Sequence, residues 1–100
     1  MNLIDELLGE RVHHVIDDGE GGQWEVSIRP RRHGAPVVRS TMVSFARPGE
    51  RGSFGCQVWG LRLAARSGEW RDPIAESSIR LTHQAAQNTL NWLDQIERNG

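Results

Sequence analysis

The chain has no lysine, no tyrosine and a single cysteine among its 100 residues. One thiol cannot close an intramolecular disulfide, so a disulfide-stapled scaffold is excluded and a reducing compartment is expected. No apolar run approaches the roughly 20 residues of a membrane-spanning helix. The opening stretch MNLIDELLGE carries Asp5 and Glu6, and its apolar run is too short for a secretory leader. No Gly-x-Ser-x-Gly, phosphate-binding loop or dinucleotide fingerprint occurs. Net charge is only −1, which gives no overall pull towards nucleic acid or an anionic membrane. These absences lead us to expect a cytoplasmic protein that is not an enzyme, carries no cofactor and does not enter a membrane.

What is present is ordinary for a small globular chain: 37% hydrophobic and 25% charged residues. The length suits one domain over residues 1–100, with one modest core. All 12 basic residues are arginine, spread from Arg11 to Arg98. That dispersion fits codon usage in a GC-rich genome better than selection for phosphate contacts.

Hydrophobic periodicity outlines the elements. Leu3, Ile4, Leu7 and Leu8 have helical spacing, and Gly9 offers a stop, predicting a short N-terminal helix. RVHHVI reads as a strand. DDGEGG is turn chemistry, and QWEVSIR alternates, with Trp24, Val26 and Ile28 on one face. PRRHGAP is a second turn. VVRSTMVSFAR reads as a long strand with Val37, Thr41, Val43 and Phe45 inward. SFGCQVWGLRLAA reads as a further strand, in which Gly55 and Gly60 suggest bulges or close backbone approach. Residues 73–82 admit either a helix capped at Asp72–Pro73 or, our preferred reading, a strand over Ser77–Leu81. Thr82 then caps a C-terminal helix whose stripe is Ala86, Leu90, Leu93 and Ile96, with Ala85 and Thr89 beside it. The expected fold is α+β: one two-layer domain in which four to five hairpin-linked antiparallel strands are covered by the C-terminal helix.

Four groups of residues offer chemistry. His13, His14, Asp17 and Asp18 combine imidazole and carboxylate as zinc or iron sites do, but no second cluster completes a ligand set. His33 and His83 stand alone and Cys56 has no partner thiol, so no metal is expected and the stretch reads as a polar strand entering a glycine turn. Arg29, Arg31, Arg32 and His33 crowd one loop, with Arg39 following; such a hairpin tip grips phosphates if a sheet face supplies stacking aromatics. Trp24 and Phe45 are the aromatics at hand, and both fall on core positions. Trp70 sits in the loop SGEWRDP beside Arg71, near Arg66, and exposed Trp with Arg is the usual anchor pair of protein interfaces. The role of Trp59 stays open. Cys56, mid-strand among apolar residues, reads as an inert thiol.

By elimination the leading expectation is a small protein-interaction module. It would be an inhibitor or accessory factor of the kind that phage and other mobile elements encode. Its expected anchors are Trp70, Arg71, Arg66, Arg31 and Arg32. The alternative is a nucleic-acid-binding module using Arg29, Arg31, Arg32, His33 and Arg39. An exposed sheet edge would also allow a homodimer.

Overall fold

A computed structural model of the chain describes residues 11–29, 36–67 and 81–99. Four strands, β1 (Val12–Asp17), β2 (Gln23–Ile28), β3 (Met42–Ala46) and β4 (Phe54–Gln57), form one antiparallel sheet in the order β1-β2-β3-β4. Two helices follow, α1 (Val58–Ser67) and α2 (His83–Asn99). The α+β class, the antiparallel sheet and the covering C-terminal helix agree with the sequence reading. The expected N-terminal helix, the PRRHGAP turn through residue 35 and the strand preferred at Ser77–Leu81, apart from Leu81, lie outside the described residues.

Alternation assigns the two faces of the sheet. Ile16, Trp24, Val26, Ile28, Val43, Phe45 and Cys56 are buried beneath the helices. Register pairs Ile16 with Trp24, Val26 with Phe45, and Val43 with Cys56, so the apolar residues of neighbouring strands lie side by side. Phe45 stacks on Phe54 at 5.1 Å, and Trp24 meets both rings edge-on. The opposite face carries His13, Glu25, Ser27, Met42, Ser44 and Gln57. Arg11 crosses it, its Nη1 donating to Ser27 Oγ (3.2 Å) and Ser44 Oγ (3.1 Å).

Two strand assignments need correcting. The run predicted from Val37 is strand only over Met42–Ala46. Residues 38–41 instead form a turn, closed by Thr41 N donating to the Val38 carbonyl (2.9 Å) and Val38 N donating to Thr41 Oγ1 (3.1 Å). The run predicted from Ser53 is strand only as far as Gln57, and α1 begins at the next residue.

One interaction explains both corrections. A helix start leaves backbone N–H groups unpaired. Here Val58 N donates to the Thr41 carbonyl and Trp59 N to the Arg39 carbonyl, each at 3.2 Å. The turn therefore serves as the cap of α1. Within α1 the strong helix formers of LRLAAR outweigh the apparent alternation of Trp59, Leu61 and Leu63. Burial falls on Val58, Gly60, Leu61 and Ala64, a helical spacing.

In α2 the buried stripe is Ala85, Ala86, Thr89, Trp92 and Leu93, with Leu90 and Ile96 at its margins. Thr82 caps the helix as expected, its Oγ1 accepting from Ala85 N (3.1 Å). His83 Nδ1 lies 2.9 Å from the Ala65 carbonyl, which ties the start of α2 to the end of α1.

The helical assignment of residues 58–67 has a direct consequence. Leu61 is fully buried and Leu63 is 48% exposed. Leu61→Ala is expected to cost about 2–5 kcal/mol in urea unfolding and Leu63→Ala less than about 1 kcal/mol. Equal costs would mean that the two leucines share one face of a strand.

Candidate functional site

Within the histidine–aspartate stretch, His14, Asp17 and Asp18 serve the architecture. Asp17 Oδ1 accepts from Gly19 N (2.7 Å), and Asp18 Oδ1 accepts from Glu20 N (2.7 Å) and Gly22 N (2.9 Å), so both aspartates close the turn between β1 and β2. Asp18 is 4% exposed and its Oδ2 is paired with Arg47 Nη1 at 2.8 Å. The same guanidinium donates to the Gln23 carbonyl (3.1 Å) and lies 3.7 Å over the Trp24 ring. His14 stacks on Trp92 at 5.4 Å. Among the described residues no three His, Cys, Asp or Glu side chains are placed to share a metal ion.

The turn also seats α2. Thr82 Oγ1 donates to the Asp18 carbonyl (2.6 Å) and Asn88 Nδ2 to the Asp17 carbonyl (3.1 Å). Gly19 has φ +79°, and a Cβ there would stand 2.7 Å from Gln84 Cβ. The position needs glycine both for its backbone and for its closeness to the helix.

The Arg47 bond, helped by the Glu20 and Gly22 amides, holds the Asp18 carboxyl below its ordinary pKa, and burial opposes this only in part.

Of the residues expected to meet a partner, Arg29, Arg39 and Arg66 are among those described. Trp70, Arg71, Arg31, Arg32 and His33 lie outside the described residues. Arg29 is exposed just after β2, and Arg39 is exposed in the turn that caps α1. Trp24 and Phe45 are buried, and the described strands carry no Phe or Trp on the open face of the sheet, where His13 is the one ring. Arg66 is exposed in the last turn of α1.

The outward side of α1 brings together residues that sequence reading left apart. Trp59 and Leu63 are one turn apart and 42% and 48% exposed. Arg62 and Arg66 follow the same spacing beside them, also exposed. Arg39 borders the shallow hollow next to Trp59, together with Val38 and Ser40. Trp59 Nε1 donates to Gln57 Oε1, which orients the indole at the end of β4. Gln57 pairs with Met42, another exposed apolar side chain. Among the described residues Arg39, Arg62 and Arg66 enter no ion pair. The signal for this cluster was present as Trp59-x-x-Arg62-Leu63-x-x-Arg66, but it is visible only once the segment is read as a helix.

The chain matches no protein-family model, no curated protein and no solved structure.

Two predictions concern the turn. Gly19→Ala and Gly21→Ala both place a side chain at positive φ, but open space surrounds Gly21. Thermal unfolding is expected to show the larger loss for Gly19→Ala, because Gln84 must also move.

The lowered Asp18 pKa means that its charge stabilises the fold fully above the ordinary carboxylate range, and that this contribution disappears as pH falls through the folded value. Asp18→Asn is therefore expected to be less stable than the parent at neutral pH, with the difference shrinking in strong acid. A difference that stays constant across that range would remove the ion pair from this role.

Proposed function

We propose that the chain is a small, non-enzymatic protein-interaction module that docks a protein partner on the outward side of α1. The observation that carries this reading is the exposed Trp59–Leu63 pair flanked by Arg39, Arg62 and Arg66. A large apolar side chain held out in solvent gives up favourable burial, which contact with a partner recovers. Tryptophan and arginine dominate interface energetics because they combine large contact area with directional donors. Trp59 is partly oriented in advance by Gln57, so less side-chain freedom is lost on binding. The matching partner surface is an apolar recess edged by carboxylates. An inhibitor or accessory factor acting in the cytoplasm suits such a surface on a chain of this size. Trp70 and Arg71, expected as anchors from the sequence, lie outside the described residues.

The test is capture of partners from host lysate by the tagged chain, with and without nuclease, in parallel with Trp59→Ala. A stoichiometric protein that survives nuclease and is lost with Trp59→Ala is expected. Binding of nucleic acid that falls steeply with salt, unaffected by Trp59→Ala but abolished by Arg31→Ala with Arg32→Ala, would instead favour the phosphate-binding alternative.

A further inference from the structure

A groove of about 410 Å³ runs between α1 and α2 on the side of α1 next to the outward face. Its size falls within the range of about 300–1,000 Å³ typical of small-molecule sites. The apolar part of its lining comes from Val37, Val58, Ala65, Leu90 and Leu93; Val58 and Leu93 are buried, and Val37, Ala65 and Leu90 keep part of their surface open. The α1 wall carries Arg62 and Arg66, and the α2 wall carries Asp94 and Glu97.

The charges are segregated and do not neutralise each other across the gap. No arginine of one wall is ion-paired with a carboxylate of the other. Asp94 pairs instead along its own helix with Arg98 (3.0 Å), and Glu97 accepts from Val37 N (2.7 Å). A carboxylate offers about four lone-pair sites, so both acids retain acceptor capacity. Arg62 and Arg66, one turn apart on the same helix, repel each other.

We infer that this groove binds a short zwitterionic peptide of dipeptide size with apolar side chains, its carboxylate on Arg62 and Arg66 and its ammonium on Asp94 and Glu97. Packed helices stand about 8–10 Å apart between axes. Two extended residues span about 7 Å, which lets the two ends of a dipeptide reach opposite walls. A single amino acid carries both charges on one Cα and reaches only one wall at a time. The guanidinium forks suit a carboxylate bidentately. The side chains would lie on Val37, Ala65 and Leu90, the half-buried part of the lining, displacing water from apolar surface.

The full chain, labelled for NMR, would be titrated with leucyl-leucine. The expected result is saturable shifts at Leu90, Leu93 and Ala65, with binding roughly tenfold weaker for leucyl-leucine amide and for N-acetyl-leucyl-leucine. Arg62→Gln with Arg66→Gln should abolish the preference for a free carboxylate, and Asp94→Asn should weaken the preference for a free amine. All three side chains are exposed, so these variants are expected to fold. Trp59→Ala, which tests the protein interface, should leave dipeptide binding unchanged. Absence of saturable shifts in the groove, or equal binding of the doubly capped peptide, would overturn the inference.

Discussion

The carboxylate of Asp18 is the point at which the sheet, the β1–β2 turn and α2 are fixed to one another. A carboxylate that is 4% exposed is tolerable only if its lone pairs are occupied. Two turn amides and Arg47 occupy them, and that requirement reaches outward. It sets the turn that brings β2 back against β1. It draws Arg47 from the end of β3 across Trp24. Through the backbone of the same residue it anchors the capping hydroxyl of α2. Removing the carboxylate would leave a guanidinium over an indole without its anion and two turn amides without their acceptor. The cost of breaking such a network exceeds that of any one of its bonds.

The second organising device lies at the opposite end of the sheet, where a turn of backbone carbonyls takes the place of a capping side chain. Because residues 38–41 supply the acceptors for the first amides of α1, that helix needs no Ser, Thr or Asp at its start. This frees Gln57 and Trp59 for the surface and holds Arg39 beside them. The outward side of α1 thus presents two exposed apolar side chains and two arginines, with Arg39 beside them from the capping turn, and the next side over forms one wall of the groove towards α2. A partner on the first surface and a small ligand in the second would share Arg62 and Arg66, so occupation of one site would be felt at the other through charge.

Much of the fold was legible. Clean alternation in QWEVSIR, turn residues in DDGEGG and the stripe of α2 each reflect one dominant local force, and each element formed where that force pointed. The failures share a cause. VVRSTMVSFAR is interrupted by a turn whose purpose is to cap a helix elsewhere in the chain, a long-range demand that no local window contains. SFGCQVWGLRLAA changes from strand to helix in mid-run, and its apolar residues satisfy both periods over the few residues that decide. The candidate site suffered accordingly. Trp59 was undecided while its segment was read as a strand, and becomes the exposed neighbour of Leu63 once the period is 3.6. Asp17 and Asp18 resembled ligands because turn-closing aspartates and metal-binding aspartates are the same residue type in the same kind of sequence.

The junction of β4 and α1 has no connecting residue: Gln57 ends the strand and Val58 begins the helix. A helix turns by about 100° with each residue. Inserting or deleting a single residue here would rotate the whole of α1 about its axis relative to the sheet, exchanging Leu61 and Ala64 for charged or exposed neighbours and carrying Trp59 out of reach of Gln57. Most loops absorb length changes during evolution at little cost. This point cannot, and the spacing between Cys56 in the core and Trp59 on the surface is therefore fixed in any descendant that keeps the fold. Variation in length would have to accumulate in the turns between strands, and the outward side of α1 would diversify by substitution alone.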